Sequence, residues 1–153
     1  MRTGRSGSGS FRVALLLLVG SVAYLREPPW IGGVTSGLRD WEGPAGMRFR
    51  WTNGHASFFV PGDAAALTLP LRAAPGSTLD GPVTVTLSVD DRWLTAVDLT
   101  DPSAWVRATL PMPRKPASRR FRRIDLRVSR TVGPFNQGVQ LGEIELRRLP
   151  GRQ

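Results

Sequence analysis

The side chains that could carry chemistry are few in this chain. Its 153 residues include 12 Asp+Glu, a single histidine (His55) and no cysteine. The missing cysteines exclude thiol catalysis, disulfides and Cys-ligated metal sites, and one histidine disfavours a multi-His metal site or a His-centred proton relay. His55 directly follows Asn53-Gly54 and is predicted to be a surface or turn residue. We therefore expect a non-enzymatic protein without a cofactor.

The carboxylates suggest two minor alternatives to a metal-free binding protein, a structural calcium site and a small hydrolase. Asp90-Asp91 falls at one turn signal and Asp98 with Asp101 surrounds another. Such pairs could help to hold a structural Ca²⁺ through oxygen ligands, although aspartate is far commoner as a plain turn former. A glycosidase would need two carboxylates at a set separation inside a cleft, and no pair stands out in that way. A small hydrolase is thus a minor alternative, and no metal site is predicted.

Aromatic and basic side chains are the best candidates for binding a ligand. The alternation of apolar and polar residues places Trp105 and Arg107 on the polar face of one predicted strand. It places Phe121 and Arg123 on the polar face of the next one. If these consecutive strands pair, one wet face suits a sugar ring stacked on tryptophan with its hydroxyls held by polar groups. The alternative is that a bulge or a covering loop buries Trp105.

The other tryptophans differ in what their neighbours predict. Trp51 lies on an apolar strand face and is predicted to be part of the core. The sequence does not decide which way Trp93 faces, because the strand face with residues 93 and 97 and the face with residues 94 and 96 are both apolar enough to be buried. Trp30 and Trp41 fall in a predicted linker, where a retained membrane anchor would place them at the membrane interface.

The positive charge is concentrated in one stretch. The net charge is +9, and residues 107–130 hold nine basic residues and one acid. The run 114–123 could meet phosphate, as the basic patches of nucleic-acid or anionic-lipid binders do. Export would remove most nucleic acid from reach, so we expect a solvated surface or contact with anionic lipid or cell-wall polymer. Specific nucleic-acid binding is not predicted.

Residues 1–26 have the pattern of an export segment. Arg2, Arg5 and Arg12 precede an uncharged run of thirteen residues, 13–25, as in a secretory signal. The small residues Ser21 and Ala23 permit cleavage after Ala23. The alternative is a retained anchor, although thirteen helical residues span only about 20 Å of a core about 30 Å thick. The predicted location is the bacterial inner membrane with the domain on the periplasmic side, or secretion after cleavage.

Beyond residue 40 the chain alternates with period two, the mark of strands with one buried face. Asn53-Gly54 between two such runs predicts a hairpin. Short strands with frequent turn signals and no long helical stretch predict an all-β antiparallel sandwich, a jelly roll, preceded by one N-terminal hydrophobic helix. The predicted division is 1–26 export segment, 27–45 linker and 46–150 sandwich. The candidate strands are 47–52, 55–60, 67–71, 83–89, 92–99, 104–110, 119–129 and 139–149.

Three segments carry a resemblance to a known family. The chain resembles galactose-binding-like β-sandwich domains, and more specifically jelly-roll modules attached to bacterial membrane glycan-processing proteins. The resemblance is carried by residues 47–52, by the strands ending at Asp90 and by the closing residues 141–146. The likeness covers about residues 41–149. It implies an extracytoplasmic binding or accessory module, in a broad fold whose members bind sugars, lipids or proteins.

These observations together predict a non-catalytic, membrane-anchored module. We expect it to bind carbohydrate or to assist the processing of cell-envelope polysaccharide, with Trp105, Arg107, Phe121 and Arg123 as the ligand-binding residues. Its expected partners are an envelope glycan or a membrane protein. The alternative is a structural or protein-interaction module of a membrane complex that binds no sugar.

Overall fold

The computed structural model describes residues 8–26, 28–113 and 120–148. The chain forms two compact units that divide after Ile31. Helix α1 spans Ser8–Arg26, and a short 3-10 helix spans Pro29–Gly33. In the part of the chain that the structure describes, no helix has both the length and the apolar character needed to cross a membrane.

The second unit is built from antiparallel strands. Nine of them lie within the described residues. In chain order they are β1 (Thr35–Leu38), β2 (Phe49–Pro61), β3 (Ala64–Ala73), β4 (Val83–Val89), β5 (Arg92–Leu99), β6 (Val106–Pro111), β7 (Phe121–Val128), β8 (Gln137–Gly142) and β9 (Glu145–Arg148).

These strands form one curled sheet that folds into two layers. The first layer has the order β5-β4-β7-β2-β1, and the second has the order β2-β8-β3-β6, with β9 also paired to β3. Strand β2 belongs to both layers, because residues 55–61 pair with β7 and residues 49–53 pair with β8. Every pairing is antiparallel among the described strands. The predicted antiparallel all-β fold is confirmed.

One hydrophobic core fills the space between the layers. In β4 each apolar residue is buried and each polar residue between them is half-buried, as period two requires. In β3 the leucines Leu67, Leu69 and Leu71 are fully buried from the other side. Each such leucine stabilises the fold by about 2 kcal/mol relative to an exposed one. The opposite side chains of each layer are thereby directed to solvent, where a ligand can reach them.

The predicted hairpin at Asn53-Gly54 is wrong. Residues 49–61 form one continuous strand, in which Gly54 has a φ of 54°. Pairing with β8 ends at Asn53 after a register shift, and pairing with β7 begins at His55. The left-handed conformation that glycine tolerates makes a bend here, which carries β2 from one layer to the other. His55 is consequently an exposed strand residue and not a turn residue.

Two predicted boundaries also differ from the structure. The segment 27–45, predicted as a linker, contributes β1, which pairs with both halves of β2. Its four residues are too short and too mixed to show a period, so only the partner strand marks it as a strand. The predicted strand 139–149 is divided into β8 and β9 by Glu143 and Ile144, and both parts pair with β3.

A bulge decides the orientation of Trp93. The register of β4 and β5 shifts between the pairings of Leu87 and Ser88. Because of this extra residue, Leu94 and Val97 both pack against the core. In a regular strand, residues three apart would face opposite sides. Trp93 is left on the outside and is 71% exposed.

Candidate functional site

The four predicted binding residues lie in two different layers. Strand β6, which follows Trp105 and contains Arg107, pairs with β3. Strand β7, which contains Phe121 and Arg123, pairs with β2 and β4. The predicted common face required these two consecutive strands to pair with each other. Within the described residues they do not pair. Trp105 and Arg107 belong to the second layer, and Phe121 and Arg123 to the first.

Trp105 lies on the outer face of the second layer, where its side chain is close to backbone. A Cβ added to Gly142 would lie 3.5 Å from Trp105 Cζ3, so the glycine brings the indole into near contact with β8. The Phe49 ring lies beside it, with centroids 6.4 Å apart and planes tilted by 56°. Trp51 meets Phe49 edge-on at 6.0 Å. Trp51 is buried, as predicted, whereas Trp105 stays 39% exposed.

Arg72 completes this aromatic cluster. Its Cζ lies 4.7 Å from the Trp105 ring centroid and 6.0 Å from that of Phe49, within cation–π range of both. Arg72 Nε donates a hydrogen bond of 2.6 Å to Gln140 Oε1, and the two residues face each other in the pairing of β3 with β8. Gln140 is itself buried. The guanidinium is thus held in place from two sides.

An exposed ion pair borders the cluster. Arg107 Nη2 donates to Glu145 Oε1, and both side chains are well exposed. Such a surface pair contributes little to stability, so a ligand that replaces it would cost the fold little. We refer to the whole surface as the Trp105 platform. It consists of Phe49, Arg72, Trp105, Arg107, Gln140 and Glu145.

Sequence reasoning found only part of this platform. It identified Trp105 and Arg107 from their alternation with apolar neighbours. It did not single out Phe49, Arg72 or Glu145. The signal that was missing is the order of the strands, since β2, β8, β3, β6 and β9 bring these residues together from five separate segments.

A turn directly before Trp105 is held by Asp101. Its Oδ1 accepts hydrogen bonds from both the hydroxyl and the backbone N–H of Ser103, each 2.7 Å long. These bonds lower the pKa of Asp101, and the Ser103 hydroxyl has the largest effect. The turn thereby fixes where the chain enters β6 and presents Trp105.

Ser103→Ala should raise the pKa of Asp101 toward the ordinary aspartate range, because it removes the strongest donor to the charged form. A lowered folded-state pKa gives a stabilisation that is present above the unfolded-state pKa and is lost as pH falls through the folded-state value. The variant should therefore lose less stability on acidification than the wild type. NMR titration of the Asp101 carboxyl carbon checks this, with Thr84→Ala, which removes a hydroxyl bonded to Asp98, as the control. An unchanged Asp101 pKa in Ser103→Ala would contradict the assignment.

Phe121 and Arg123 are engaged in contacts within the protein. Arg123 donates to Asp125 Oδ2 and Asp91 Oδ1, both at 2.8 Å. The hydrogen bond to Asp125 raises the pKa of the Arg123 guanidinium. The ring of Phe121 packs so close to Gly32 that a Cβ there would lie 2.6 Å from Phe121 Cε1. Both side chains are therefore engaged by neighbours in the first layer, apart from Trp105 and Arg107 in the second.

The Asp90-Asp91 pair forms the predicted turn, between β4 and β5. Both residues have positive φ, 51° and 64°. Their carboxylates bind arginines, since Asp90 Oδ2 accepts from Arg122 Nε and Asp91 Oδ1 from Arg123 Nη2, each at 2.8 Å. Among residues 8–26, 28–113 and 120–148 no group of three or more His, Cys, Asp or Glu could hold a metal ion. The basic run 114–123 lies mostly outside the described residues, which omit 114–119.

Comparison with known proteins finds similar solved structures only. No protein-family model and no curated protein matches the chain. A family 6 carbohydrate-binding module is similar, with 11% identity and a TM-score of 0.47 over 76% of this chain and 87% of that one. A family 35 carbohydrate-binding module from Clostridium thermocellum has 11% identity and a TM-score of 0.46 over 76% and 92% of the two chains. These modules are jelly-roll β-sandwiches of galactose-binding-like fold, the family that the sequence resembles.

Proposed function

We propose that this protein is a non-catalytic carbohydrate-binding module whose ligand stacks on Trp105. The observation that carries the proposal is the position of this indole. It is 39% exposed on the outer face of a layer, and polar side chains surround it. A buried core tryptophan would lack the exposure, and an isolated surface tryptophan would lack the ordered polar neighbours Arg72 and Arg107.

The chemistry of the Trp105 platform matches that of a sugar. A pyranose has apolar C–H groups on its ring faces, which pack well on an aromatic surface, and hydroxyls at its rim, which both donate and accept hydrogen bonds. Arg107 supplies donors and Glu145 supplies acceptors, and both side chains are exposed. A sugar that stacks on Trp105 therefore finds both a face for its ring and partners for its hydroxyls.

The location is part of the proposal. The cationic start and the uncharged run 13–25 support export, either with a retained anchor in the bacterial inner membrane or with cleavage after Ala23. The sandwich would then face the extracytoplasmic side, where envelope polysaccharide is the glycan within its reach. Fractionation of cells, followed by N-terminal sequencing of the recovered protein, distinguishes an anchored chain from one that begins at Tyr24. Recovery of the full-length chain in the cytoplasmic fraction would contradict export.

Trp105→Ala should reduce affinity for the bound glycan at least tenfold, because aromatic anchors supply a large share of the binding free energy at such surfaces. The wild-type protein is first screened on an array of envelope and plant polysaccharides. The best ligand is then titrated by isothermal calorimetry and by tryptophan fluorescence, with wild type and variant compared under the same conditions.

Trp93→Ala is the matched control, because Trp93 is an exposed tryptophan of the first layer. It should bind the same glycan with wild-type affinity. No binding to any glycan on the array, or an equal loss in both variants, would overturn the proposal. Co-purification of a membrane protein without any sugar affinity would instead favour a protein-interaction module.

A further inference from the structure

The Arg72 side chain lies over the ring on which the ligand is proposed to stack. Strands β3 and β6 pair as far as Leu71 opposite Val106, so one position further Arg72 and Trp105 are cross-strand neighbours on the same face. The Arg72 Cζ is 4.7 Å from the centroid of the Trp105 ring. The 39% exposure of Trp105 is therefore what remains with the guanidinium in this position.

A sugar ring and this guanidinium compete for the indole. Carbon atoms in contact lie about 3.5–4.0 Å apart, so a guanidinium carbon 4.7 Å from the centroid leaves no room for a pyranose between it and the ring. The ring cannot be approached from the sheet either, because Trp105 Cζ3 is in near contact with β8 at Gly142. A ligand that stacks on Trp105 must therefore displace Arg72.

Two kinds of contact hold Arg72 in place. One is the cation–π contact with Trp105, to which the more distant Phe49 ring adds at 6.0 Å. The other is the hydrogen bond of 2.6 Å that Arg72 Nε donates to Gln140 Oε1. Gln140 is buried, so movement of Arg72 would leave its side-chain oxygen without this donor, which costs free energy. Without a ligand, the covered arrangement is thus the favoured one.

We propose that Arg72 is an autoinhibitory side chain, which covers Trp105 in the free protein and is displaced when a glycan stacks there. This inference rests on the proposed function and adds a control of affinity at the same site. When only a fraction of the molecules can bind, the apparent affinity falls by that fraction. Arg72 therefore weakens glycan binding, whereas a residue that contacts the ligand directly would strengthen it.

Arg72→Ala should strengthen glycan binding about two- to fivefold, the range that corresponds to a cation–π contact at an exposed site. The glycan that binds best on the array is titrated by isothermal calorimetry into wild type, Arg72→Ala and Trp105→Ala. Arg127→Ala is the control, because Arg127 is an exposed arginine of the first layer and should leave the affinity unchanged. Urea unfolding verifies that each variant is folded.

Gln140→Glu tests the opposite direction and keeps Arg72. A carboxylate in place of the amide makes the hydrogen bond with Arg72 charge-assisted, which holds the guanidinium over Trp105 more firmly. Glycan affinity should therefore fall in this variant, and an affinity equal to or above that of wild type would contradict the inference. This result does not depend on whether Arg72→Ala folds.

NMR of the Arg72 side chain reports its position directly. Protons held over an indole are shifted upfield by its ring current, so the Arg72 side-chain protons should be shifted upfield in the free protein and lose that shift in Trp105→Ala. Saturation of wild type with the glycan should reduce the shift as well. An upfield shift that is absent from the free protein, or that is unchanged at saturation, would overturn the inference.

Failure of this inference can be separated from failure of the proposed function. If wild type binds a glycan that Trp105→Ala binds more weakly, an equal or lower affinity in Arg72→Ala would overturn the autoinhibitory role and leave the proposed function intact. Binding by Arg72→Ala alone would support both. Failure of wild type and Arg72→Ala to bind any glycan would remove both.

Discussion

Asp90→Asn should lower the free energy of unfolding by about 3 kcal/mol, because it leaves a buried guanidinium without its carboxylate partner. The side chain of Arg122 is 4% exposed, and its Nε lies 2.8 Å from Asp90 Oδ2. Arg122 also donates to the Pro113 carbonyl, which holds the group inside the fold. The substitution preserves the shape of the turn, because asparagine adopts the positive φ of residue 90 readily. Asparagine also keeps a side-chain oxygen for the Arg123 backbone N–H, which Asp90 Oδ1 accepts at 3.1 Å, so the effect reports chiefly the lost charge.

Asp91→Asn is the matched control for this prediction. Asp91 is the second residue of the same turn, but its side chain is 78% exposed and pairs with the half-exposed Arg123. Exposed ion pairs contribute less than about 1 kcal/mol, so this variant should unfold at nearly the wild-type denaturant concentration. Urea unfolding followed by tryptophan fluorescence measures both variants. Equal losses in the two would show that Asp90 has no special role.

Gly37→Ala should destabilise the protein by about 3 kcal/mol, because one added methyl group meets backbone that cannot move aside. Gly37 lies in β1 at the register shift between Ser36 and Leu38, with a φ of 64°. A Cβ at this position would lie 1.9 Å from the carbonyl oxygen of His55 in β2. Strand β1 would have to separate locally from β2, with loss of its hydrogen bonds.

Gly76→Ala separates the cost of the backbone conformation from the cost of the clash. Gly76 also has a left-handed conformation, with a φ of 80°, but a Cβ added there would meet no atom within 4 Å beyond its chain neighbours. The variant should lose only about 1 kcal/mol, the cost of that conformation for a residue with a side chain. Both variants are compared by urea unfolding, and hydrogen exchange of the Arg39 amide, which bonds the Trp51 carbonyl beyond β1, reports local separation. Similar losses in the two variants would contradict the close approach at Gly37.

The sequence alone was sufficient for much of the fold. The alternation in 83–89 predicted β4 and the candidate strand 92–99 predicted β5, both with the bounds that the structure has, and Asp90-Asp91 was predicted as the turn between them. These features are local, because the side of a strand that a residue faces follows from its immediate neighbours. The same local information predicted the exposed side for Trp105 and Arg107.

Features that depend on the partner strand were not accessible in this way. Asn53-Gly54 permits a left-handed conformation, and that conformation serves equally well in a hairpin turn or in the bend that joins two layers. The exposure of Trp93 depends on a bulge opposite β4, where one extra residue changes which neighbours reach the core. In both cases the residue types permit more than one backbone conformation or side-chain orientation, and the pairing with the neighbouring strand determines which one is adopted.

The Trp105 platform shows the same division most clearly. The sequence by itself determined that this protein is an antiparallel β-sandwich, and it left two positions for Trp105, on the polar face of its strand or buried by a bulge or a covering loop. Only the tertiary structure decided that Phe49, Arg72 and Gln140 surround it, and that Phe121 and Arg123 do not. The reason is physical: alternation acts between neighbouring residues, whereas the order of strands is set by long-range packing of the whole core, to which every segment contributes.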